Sequence, residues 1–295
     1  MIPSEKINVL IVGAGTKGAL YDYPEDPVVL SHAHAFTENP AFNLLGFHDT
    51  NAENAVEAVR RWGGNHYWDL HEAFGESRVD VVSLCVPDEC HEVVLEKLSK
   101  INFSLLFCEK PFTTSLESAK KAAALFNPAR TPILVNYPRR FNPSFQYLKT
   151  QIKTEGWGQF LGGAGFYGKS IIHNGSHAVD LLNFWGIEDP LPLINLDRSH
   201  VNAFEMVLFF KKLKIQILDH GNRIETTPYS PRNGVPQDFV LDFLKKLSYP
   251  TFLAEQAMRG AVQNVADFLN QKADLLCTVN DAIRVHERIL RDYPG

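Results

Sequence analysis

Two histidines and one aspartate lie close together in the stretch "IIHNGSHAVDLLNFWG", residues 171–186. His173, His177 and Asp180 could form an acid/base group, because imidazole titrates near neutral pH and a nearby carboxylate stabilises its protonated form. The same H-x-x-x-H spacing could hold zinc from one face of a helix. In a third interpretation these side chains only cap and pack the helix. The stretch alone leaves all three interpretations open.

The start of the helix in this stretch argues against a metal. Gly175 and Ser176 predict a helix that begins after His173, with Ser176 as its N-cap. His173 would then lie in a loop, and no glutamate follows it as in the H-E-x-x-H motif of zinc proteases. We therefore predict no metal at this site.

A glycine-rich turn near the start of the chain predicts a dinucleotide site. "VLIVGAGTKG" has G-x-G-x-x-G spacing directly after an apolar run that is typical of a buried parallel strand. In such a turn the first glycine permits the tight bend, the second admits the pyrophosphate, and the third lets a helix pack closely on the strand. The residues predicted to line this part of the site are Gly13, Gly15, Thr16, Lys17 and Gly18.

The second predicted strand ends in an aspartate that would select the nucleotide. Asp49 follows "FNLLGFH", and a carboxylate there accepts both ribose hydroxyls of NAD and repels the 2′-phosphate of NADP. Thr50 comes next, and no Arg or Lys occurs at 50–54 to hold that phosphate, so we predict NAD rather than NADP. Asp49 lies 31 residues after Gly18, whereas about 20 is usual. The surplus "ALYDYPEDPVVL" predicts an inserted loop and leaves open whether Gly18 packs a helix on the strand.

A second pair of histidines, His32 and His34 in "SHAHAF", follows this inserted loop. Two residues apart at the start of a helical pattern, they face different directions. We therefore expect a surface or capping role for them rather than a catalytic one.

The order of apolar runs and helical patterns predicts the domains. Up to about residue 138 the two alternate, which is typical of βαβ units and a doubly wound parallel sheet of the Rossmann type. From about residue 158, strand-like runs follow one another, which favours an α+β domain with a large open, mainly antiparallel sheet. The predicted domains are residues 1–127 for dinucleotide binding and 128–295 for substrate and oligomerisation. Helical patterns close the chain at 236–247, 254–270 and 279–292, and these last helices could pack back on the first domain.

Composition excludes several classes of function. A net charge of −5, with 45% hydrophobic and 21% charged residues, is typical of a globular protein and offers no basic surface for nucleic acid. No apolar run is long enough for a transmembrane helix, and the first residues enter a strand pattern rather than a signal peptide. The four cysteines show no C-x-x-C spacing, so reduced thiols are expected. We predict a cytoplasmic protein with no nucleic-acid or membrane partner.

Several motifs, taken in order, resemble a known family. They are the glycine turn, "VPDECH", "CEKP" at 108–111, "NYPRRFNPSFQYLK", "HNGSHAVDLLNFWG" and the C-terminal "LLCTVNDAIRVHERIL". Their order and spacing resemble the Gfo/Idh/MocA family, which comprises glucose-fructose oxidoreductase, inositol dehydrogenase and sugar-modifying relatives. The resemblance runs over almost the whole chain.

The resemblance implies a role for each matching residue. Lys110 of the EKP motif would contact substrate and the nicotinamide ribose, and His177 would act as general base toward a substrate hydroxyl. His173 stands where dehydrogenases of the family commonly carry an aspartate, and Asp180 matches a later family aspartate. A histidine cannot supply that fixed negative charge, so His173 could instead take a direct acid/base role. The further positions assigned to the cofactor are Val86, Pro87, His91, Glu109 and Asn136.

Four other side chains are candidates for substrate contact, namely Arg139, Arg140, Tyr167 and Asn174. The arginine pair could bind a phosphate or carboxylate of the substrate, or it could join the domains through carboxylates. Tyr167 ends a predicted strand that points toward the proposed site.

The motifs and the resemblance together predict an NAD-dependent dehydrogenase or reductase. It would move a hydride between nicotinamide and a hydroxyl or keto carbon of a sugar, polyol or sugar nucleotide. Two alternatives stay open: a non-catalytic NAD-binding regulator or partner subunit, and a redox-assisted sugar lyase or hydrolase that retains its NAD. An open sheet with one exposed face usually needs a partner, so we predict a homo-oligomer through the C-terminal sheet.

Overall fold

The computed structural model describes residues 5–197, 203–229 and 253–294. The chain divides into two compact units. The first contains the residues up to Phe141 together with Ala254–Ile283, and the second contains Asn142–Leu253 and the residues from Arg284 onward. The helical pattern predicted at 236–247 lies outside the described residues.

The first unit is built on a six-stranded parallel sheet. Its strands are β1 (Ile7–Val12), β2 (Phe42–His48), β3 (Asn65–Tyr67), β4 (Val81–Leu84), β5 (Leu105–Glu109) and β6 (Ile133–Asn136). Their order is β3-β2-β1-β4-β5-β6, the order of a doubly wound sheet, so this part of the prediction is confirmed. Val9, Leu10 and Ile11 have no exposed surface, which is why the central strands are continuous apolar runs.

Five helices connect these strands. They are α1 (His32–Glu38), α2 (Ala52–Trp62), α3 (Leu70–Glu76), α4 (His91–Leu98) and α5 (Leu116–Ala124). Four of them begin at a side-chain cap that accepts a backbone N–H of the first turn, provided by Ser31, Asn51, Asp69 and Ser115. Because the strands are parallel, their carboxyl ends form one edge of the sheet, where ligands bind in folds of this kind.

The first unit extends beyond the predicted boundary at residue 127. The run "TPILVNYP" forms β6, which continues the parallel sheet beside β5. The C-terminal part of the chain joins it there, because the Val135 N–H donates to the Cys277 carbonyl at 3.0 Å and Asn136 Nδ2 lies 3.3 Å from Met258 Sδ. The unit is therefore made from two separate parts of the sequence.

The second unit contains a five-stranded sheet and two helices that precede or interrupt it. These elements are α6 (Pro143–Lys153), β7 (Phe160–Gly168), α7 (Ser176–Trp185), β8 (Leu193–Asp197), β9 (Phe204–Phe210), β10 (Leu213–Leu218) and β11 (Arg223–Pro228). The strand order is β11-β10-β9-β7-β8, with β7 and β8 parallel and the other pairs antiparallel. The predicted mainly antiparallel sheet is confirmed. Two further helices, α8 (Leu253–Leu269) and α9 (Val279–Asp292), follow later in the chain.

One face of the second sheet forms a core, and the other carries exposed apolar side chains. Buried residues alternate with exposed or half-buried ones along β9 and β10, as expected for a sheet covered on one side. The buried residues pack in one cluster with side chains of α6 and α7, such as Phe145, Leu148 and Leu181. Exposed apolar residues of this sheet include Ile194, Leu196 and Phe209. Within the described part of the chain, no helix combines the length and hydropathy that crossing a bilayer requires.

Candidate functional site

Gly13 bends the chain at the end of β1. Its φ of +94° lies in the left-handed region that favours glycine. A Cβ there would lie 2.6 Å from the carbonyl carbon of Cys85 and 2.7 Å from the amide nitrogen of Val86, in the turn after β4. At Gly15, by contrast, a Cβ would meet none of the described atoms within 4 Å. The first glycine therefore allows the tight bend, and the backbone at the second is open to a ligand.

Gly18 packs against the start of the same loop. A Cβ on Gly18 would collide with the carbonyl oxygen of Gly13. The residues after Gly15 form a π-helical turn, Thr16–Leu20, whose last two amides donate to the Gly15 carbonyl at 2.9 and 3.0 Å. The third glycine thus permits close packing within a single turn, although no full helix follows it until α1.

Asp49 lies against the glycine loop. Its Oδ2 accepts from the Ala14 N–H at 2.7 Å, and its Oδ1 accepts from the Asn51 N–H at 2.8 Å. These bonds orient the carboxylate, and each oxygen keeps a lone pair with which it can accept a ribose hydroxyl. The neighbouring Thr50 is exposed.

The inserted loop is tied to the start of α1 by one buried carboxylate. Asp22 is 2% exposed, and its Oδ2 accepts from the amides of Leu30 and Ser31 at 2.6 and 3.1 Å. The same oxygen lies 3.0 Å from His34 Nδ1. Arg61 of α2 also donates to two carbonyl oxygens of the loop. The insertion is therefore an integral part of the first unit.

His32 and His34 are buried, so the expected surface or capping role is wrong. They are 0% and 1% exposed. Helix α1 is enclosed on both sides, because the His32 ring lies 4.7 Å from that of Phe107 in β5 and the His34 ring lies 4.9 Å from that of Trp62 in α2. His32 and His34 face different directions, but both are buried because β5 covers one side of α1 and α2 covers the other.

His32 holds the carboxylate of the EKP motif. Its Nε2 lies 2.9 Å from Glu109 Oε1, and its Nδ1 lies 2.7 Å from Ser83 Oγ. Glu109 Oε1 also accepts from Asn136 Nδ2 at 2.7 Å, and Oε2 accepts from the Lys110 amide at 3.2 Å. Asn136 was predicted as a cofactor contact, but its side chain is 1% exposed and supports Glu109 instead.

The buried pair of His32 and Glu109 is ionised at neutral pH. Burial lowers the pKa of His32, but the neighbouring Cys85 sulfur and the hydrogen bond and charge of Glu109 outweigh burial and raise this pKa to about 10. Burial raises the pKa of Glu109, whereas the hydrogen bond and charge of His32 and the charges of Lys17 and Lys110 lower it to about 2. An imidazolium and a carboxylate therefore face each other beneath the lysine of the motif.

Lys110 has an unusually acidic ammonium group. Burial lowers its pKa to about 8, although the carboxylates of Glu109 and Asp88 oppose the change. The positive charges of Lys17 and Arg139 contribute to this fall in the pKa. A lysine whose pKa lies near 8 can donate or take up a proton close to neutral pH, whereas an ordinary lysine titrates near 10.4.

His91 lies behind the site rather than in it. Its side chain has no exposed surface. The ring nitrogens Nδ1 and Nε2 lie 3.1 Å and 3.0 Å from the carbonyl oxygens of Phe112 and Val86. The predicted cofactor contact of His91 is corrected to a supporting role, because the ring joins the turn after β4 to the loop after β5. The more accessible residues of that turn are Val86, which is half-buried, and Pro87, which is exposed.

Arg140 is a structural residue, which corrects its prediction as a substrate contact. It is 3% exposed, and its Nη1 lies 3.2 Å from the Leu276 carbonyl oxygen and 3.1 Å from Asp281 Oδ1. Its guanidinium joins the segment after β6 to the C-terminal part of the first unit. Arg139 is half-buried and acts on the charge of Lys110, so it stays a candidate for substrate contact.

The helix that carries the histidine pair of the second unit begins earlier than predicted. A π-helical turn, Ile171–Gly175, runs directly into α7. Ser170 Oγ accepts from the His173 amide at 3.2 Å, whereas Ser176 Oγ donates to the His173 carbonyl at 3.2 Å. The predicted cap at Ser176 is therefore wrong, and His173 lies on the helical segment rather than in a loop.

The candidates of the second unit lie along one short part of it. Asp180 is 1% exposed, and His173 and His177 are half-buried. His177 and Asp180, three residues apart, share one face of α7. Tyr167 and Asn174 are 8% and 9% exposed. Among the described residues, no group of three or more His, Cys, Asp or Glu side chains could hold a metal ion.

The structure brings most candidates of the first unit to the carboxyl ends of neighbouring strands. They are Gly13 after β1, Asp49 after β2, Val86 after β4 and Lys110 after β5. His173, His177 and Asp180 belong to the second unit. Sequence reasoning missed Ser83, Asp22 and the role of His32. The partners of His32 lie 51 and 77 residues away along the chain, so no local pattern could have indicated them.

Known proteins similar to this chain are oxidoreductases. Residues 7–137 match a family described as "Oxidoreductase family, NAD-binding Rossmann fold". The chain is 24% identical over 121 residues to inositol 2-dehydrogenase of Rhizobium meliloti (strain 1021), covering 41% of this chain and 36% of that protein. It is 30% identical over 122 residues to scyllo-inositol 2-dehydrogenase (NAD(+)) of Bacillus subtilis (strain 168), covering 41% and 32%. The chain thus matches about a third of the length of these relatives.

A solved structure shares this fold. The WlbA dehydrogenase from Bordetella pertussis, in complex with NADH and UDP-GlcNAcA, superimposes with a TM-score of 0.75 at 15% identity. The alignment covers 99% of this chain and 96% of that one. The predicted fold class is confirmed, and the predicted cofactor, NAD, agrees with the description of the matched family.

Proposed function

Because residues 7–137 match the model of the Gfo/Idh/MocA oxidoreductase family, we propose that this protein is a member of that family and an NAD-dependent oxidoreductase of a sugar, polyol or sugar nucleotide. The inositol dehydrogenases among its relatives and the UDP-sugar in the WlbA complex support this class of substrate. When bound, NAD supplies the carbon, C4 of nicotinamide, that accepts or gives up the hydride.

The residues around the glycine loop fit a dinucleotide. A pyrophosphate could approach the loop backbone at Gly15, where a Cβ would meet none of the described atoms within 4 Å. Asp49 would accept from the adenosine ribose hydroxyls, since its carboxylate is oriented by the Ala14 and Asn51 amides. Val86 and Pro87, in the turn after β4, would contact the half of the cofactor that carries nicotinamide.

The observation that carries the proposal is the position of Lys110, which directly follows β5 at the same edge of the sheet as Gly13 and Asp49. The Lys110 pKa of about 8 follows from burial, and the ionised Glu109 beneath it is held by His32. In the oxidation direction, the Lys110 ammonium would donate a hydrogen bond to the reacting oxygen and stabilise the negative charge that develops there. His177 would accept the hydroxyl proton, with His173 at the position where the family resemblance implies an aspartate.

The presence of a histidine rather than an aspartate at position 173 supports one alternative function. A protein that binds NAD but has lost the carboxylate partner of its base could act as a regulator or partner subunit. A third function, a redox-assisted lyase or hydrolase, would oxidise its substrate transiently and retain its NAD. Both alternatives predict no net reduction of added NAD.

The test is a turnover assay on a panel of inositols, hexoses, uronic acids and UDP-sugars, with NADH followed by its absorbance. We expect NAD-dependent oxidation of at least one of them. Lys110→Ala should lower turnover at least about a hundredfold, whereas Lys100→Ala, which removes a lysine that is 70% exposed, should leave turnover unchanged. Reversible NAD binding without turnover across the panel would favour the regulator. Substrate cleavage with tightly retained NAD would favour the lyase or hydrolase.

We further propose a homo-oligomer that forms through the second sheet. The outward-facing Ile194, Leu196 and Phe209 are 46%, 52% and 37% exposed and would lose contact with water against a second copy. Light scattering should give a mass of at least twice the 33.2 kDa of the chain. Phe209→Glu should lower that mass, and a monomeric wild type would contradict the proposal.

A further inference from the structure

A tryptophan stands exposed at the edge of the first sheet. Trp68 directly follows β3 and is 70% exposed, the largest value among the large apolar side chains in the described ranges. Single exposed apolar side chains are common on protein surfaces, so exposure alone does not indicate a ligand. The place of Trp68 in the sheet indicates which ligand would cover it.

Trp68 and Asp49 occupy equivalent places on neighbouring strands. Strands β2 and β3 are parallel, with His48 paired to Tyr67 at their carboxyl ends. Asp49 directly follows β2 and Trp68 directly follows β3. Neighbouring strands are about 4.8 Å apart. An indole side chain therefore lies one strand away from the proposed ribose contact.

The strand order arranges the parts of the nucleotide in a row. The glycine loop after β1 would hold the pyrophosphate, and Asp49 after β2 would hold the adenosine ribose. β3 is the next strand in the same direction and forms the edge of the sheet. The base is attached to the ribose on the side away from the pyrophosphate, so it would extend toward the end of β3, where Trp68 lies.

The backbone and ring of Trp68 are held in place. Its N–H donates to Glu72 Oε2 at 2.7 Å, and the Glu72 N–H donates in turn to Asp69 Oδ1 at 2.9 Å. These two bonds resemble a capping box, except that Glu72 accepts from the residue before the N-cap Asp69, and they fix the start of α3 and the backbone of Trp68. The indole also lies 4.3 Å from the His66 ring, measured between centroids. A side chain ordered in this way loses little conformational freedom when it binds a ligand.

The geometry points to Trp68 as the surface on which the adenine of the dinucleotide stacks. This inference rests on the proposed function, since it requires that the glycine loop and Asp49 bind a dinucleotide. When an aromatic side chain that stacks on a base is replaced by alanine, the affinity falls by a factor of about 5 to 150. Trp68 would then contribute to binding NAD but not to the hydride transfer itself.

Calorimetry on the full chain tests the inference with two ligands, NADH and ADP-ribose. ADP-ribose carries the adenosine half but lacks nicotinamide, so it reports on the predicted contact. Trp68→Ala should raise the Kd of both ligands by about tenfold or more, and Trp68→Phe should restore most of the affinity because it keeps a ring. Tyr229→Ala, which removes an aromatic residue that is 41% exposed in the second unit, should bind as the wild type does. Circular dichroism and the melting temperature confirm that each variant is folded.

Kinetics separate this role from a general structural one. With a substrate found in the panel, Trp68→Ala should raise KM for NAD and leave kcat within about twofold, as expected for an interaction present in both ground and transition states. Unchanged Kd values in Trp68→Ala, with tight NADH binding in the wild type, would overturn the inference and leave the proposed function intact. Failure of the wild type to bind either ligand would overturn both.

Discussion

Replacing His32 by leucine should destabilise the protein by about 2–3 kcal/mol at neutral pH. The substitution removes the imidazolium from Glu109, whose Oε1 it contacts at 2.9 Å, and leaves Ser83 Oγ without its partner at 2.7 Å. The pKa of Glu109 falls from 4.5 to about 2 in the folded protein. At about 1.4 kcal/mol per pKa unit, this corresponds to about 3 kcal/mol for the ionised carboxylate.

That value is the net of opposing effects, because burial raises the pKa of Glu109 while His32 lowers it. The Glu109 pKa also falls because of Lys17 and Lys110, and the Asn136 hydrogen bond to Glu109 remains in the variant. The pKa of His32 rises further than that of Glu109 falls, because Cys85 adds to the rise. Both pKa changes arise from the same ion pair. We therefore use the smaller change, that of Glu109, to obtain the free energy of the pair.

The difference between wild type and His32→Leu should depend on pH in a defined direction. The folded pKa of His32, about 10, lies above its unfolded value of 6.5. Its contribution is therefore complete below pH 6.5 and is lost as the pH rises toward 10. Glu109 has a depressed pKa, so its contribution is present above pH 4.5 and is lost as the pH falls toward 2. The difference in stability should be largest between these limits, near pH 5 to 6.5.

Equilibrium urea unfolding at pH 6, 7.5 and 9, followed by circular dichroism, measures this dependence. The free-energy difference between wild type and His32→Leu should narrow by more than about 1 kcal/mol from pH 6 to pH 9. His71→Leu, which replaces an exposed histidine on α3, serves as the control and should show no such narrowing. Equal stability of wild type and His32→Leu at all three pH values would refute the ion pair.

Four further predictions concern the cofactor and the histidine pair. NAD(H) should bind at least about tenfold tighter than NADP(H) because Asp49 repels the 2′-phosphate, and equal affinities in calorimetry would show that Asp49 is not on the ribose. Gly18→Ala should weaken NADH binding by at least about tenfold, because the added methyl group displaces the Gly13 carbonyl, and an unchanged Kd would contradict that packing. His177→Ala should lower turnover by about 10²–10⁴. His173→Asp should stay active and move the acidic limb of the pH–rate profile to higher pH, because a carboxylate stabilises the imidazolium of the base. Near-complete loss of turnover in this variant would instead make His173 the acid/base. Inactivation of the wild type by a chelator would indicate a metal.

The parts of the site that the sequence predicts depend on neighbouring residues. Gly13 to Gly18 form one turn, and Asp49 ends one strand, so their spacing is local and visible. The alternation of apolar runs with helices predicts the parallel sheet for the same reason. Strand β3 spans only Asn65–Tyr67 and was not predicted, because three residues cannot show a period.

The sequence does not predict the features of the site that depend on residues far apart in the chain. It also does not show which of two nearby serines caps a helix. His32 looks like a surface histidine until β5 and α2 enclose α1. Arg140 stands beside Arg139 in the sequence, yet only the folded chain shows that Arg140 meets Asp281. Two serines could cap the helix near His173, and the one further upstream does so because the π-helical turn already begins after Ser170.

The two-part first unit also has a consequence for synthesis on the ribosome. Strand β6 emerges early, but Cys277, whose carbonyl accepts the Val135 amide, is made more than a hundred residues later. Met258, which lies against Asn136, also comes from this later part. Until then β6 is an open sheet edge, the kind of surface on which partly made chains associate wrongly. The nascent nucleotide-binding unit therefore stays incomplete until the sheet of the second unit has been translated.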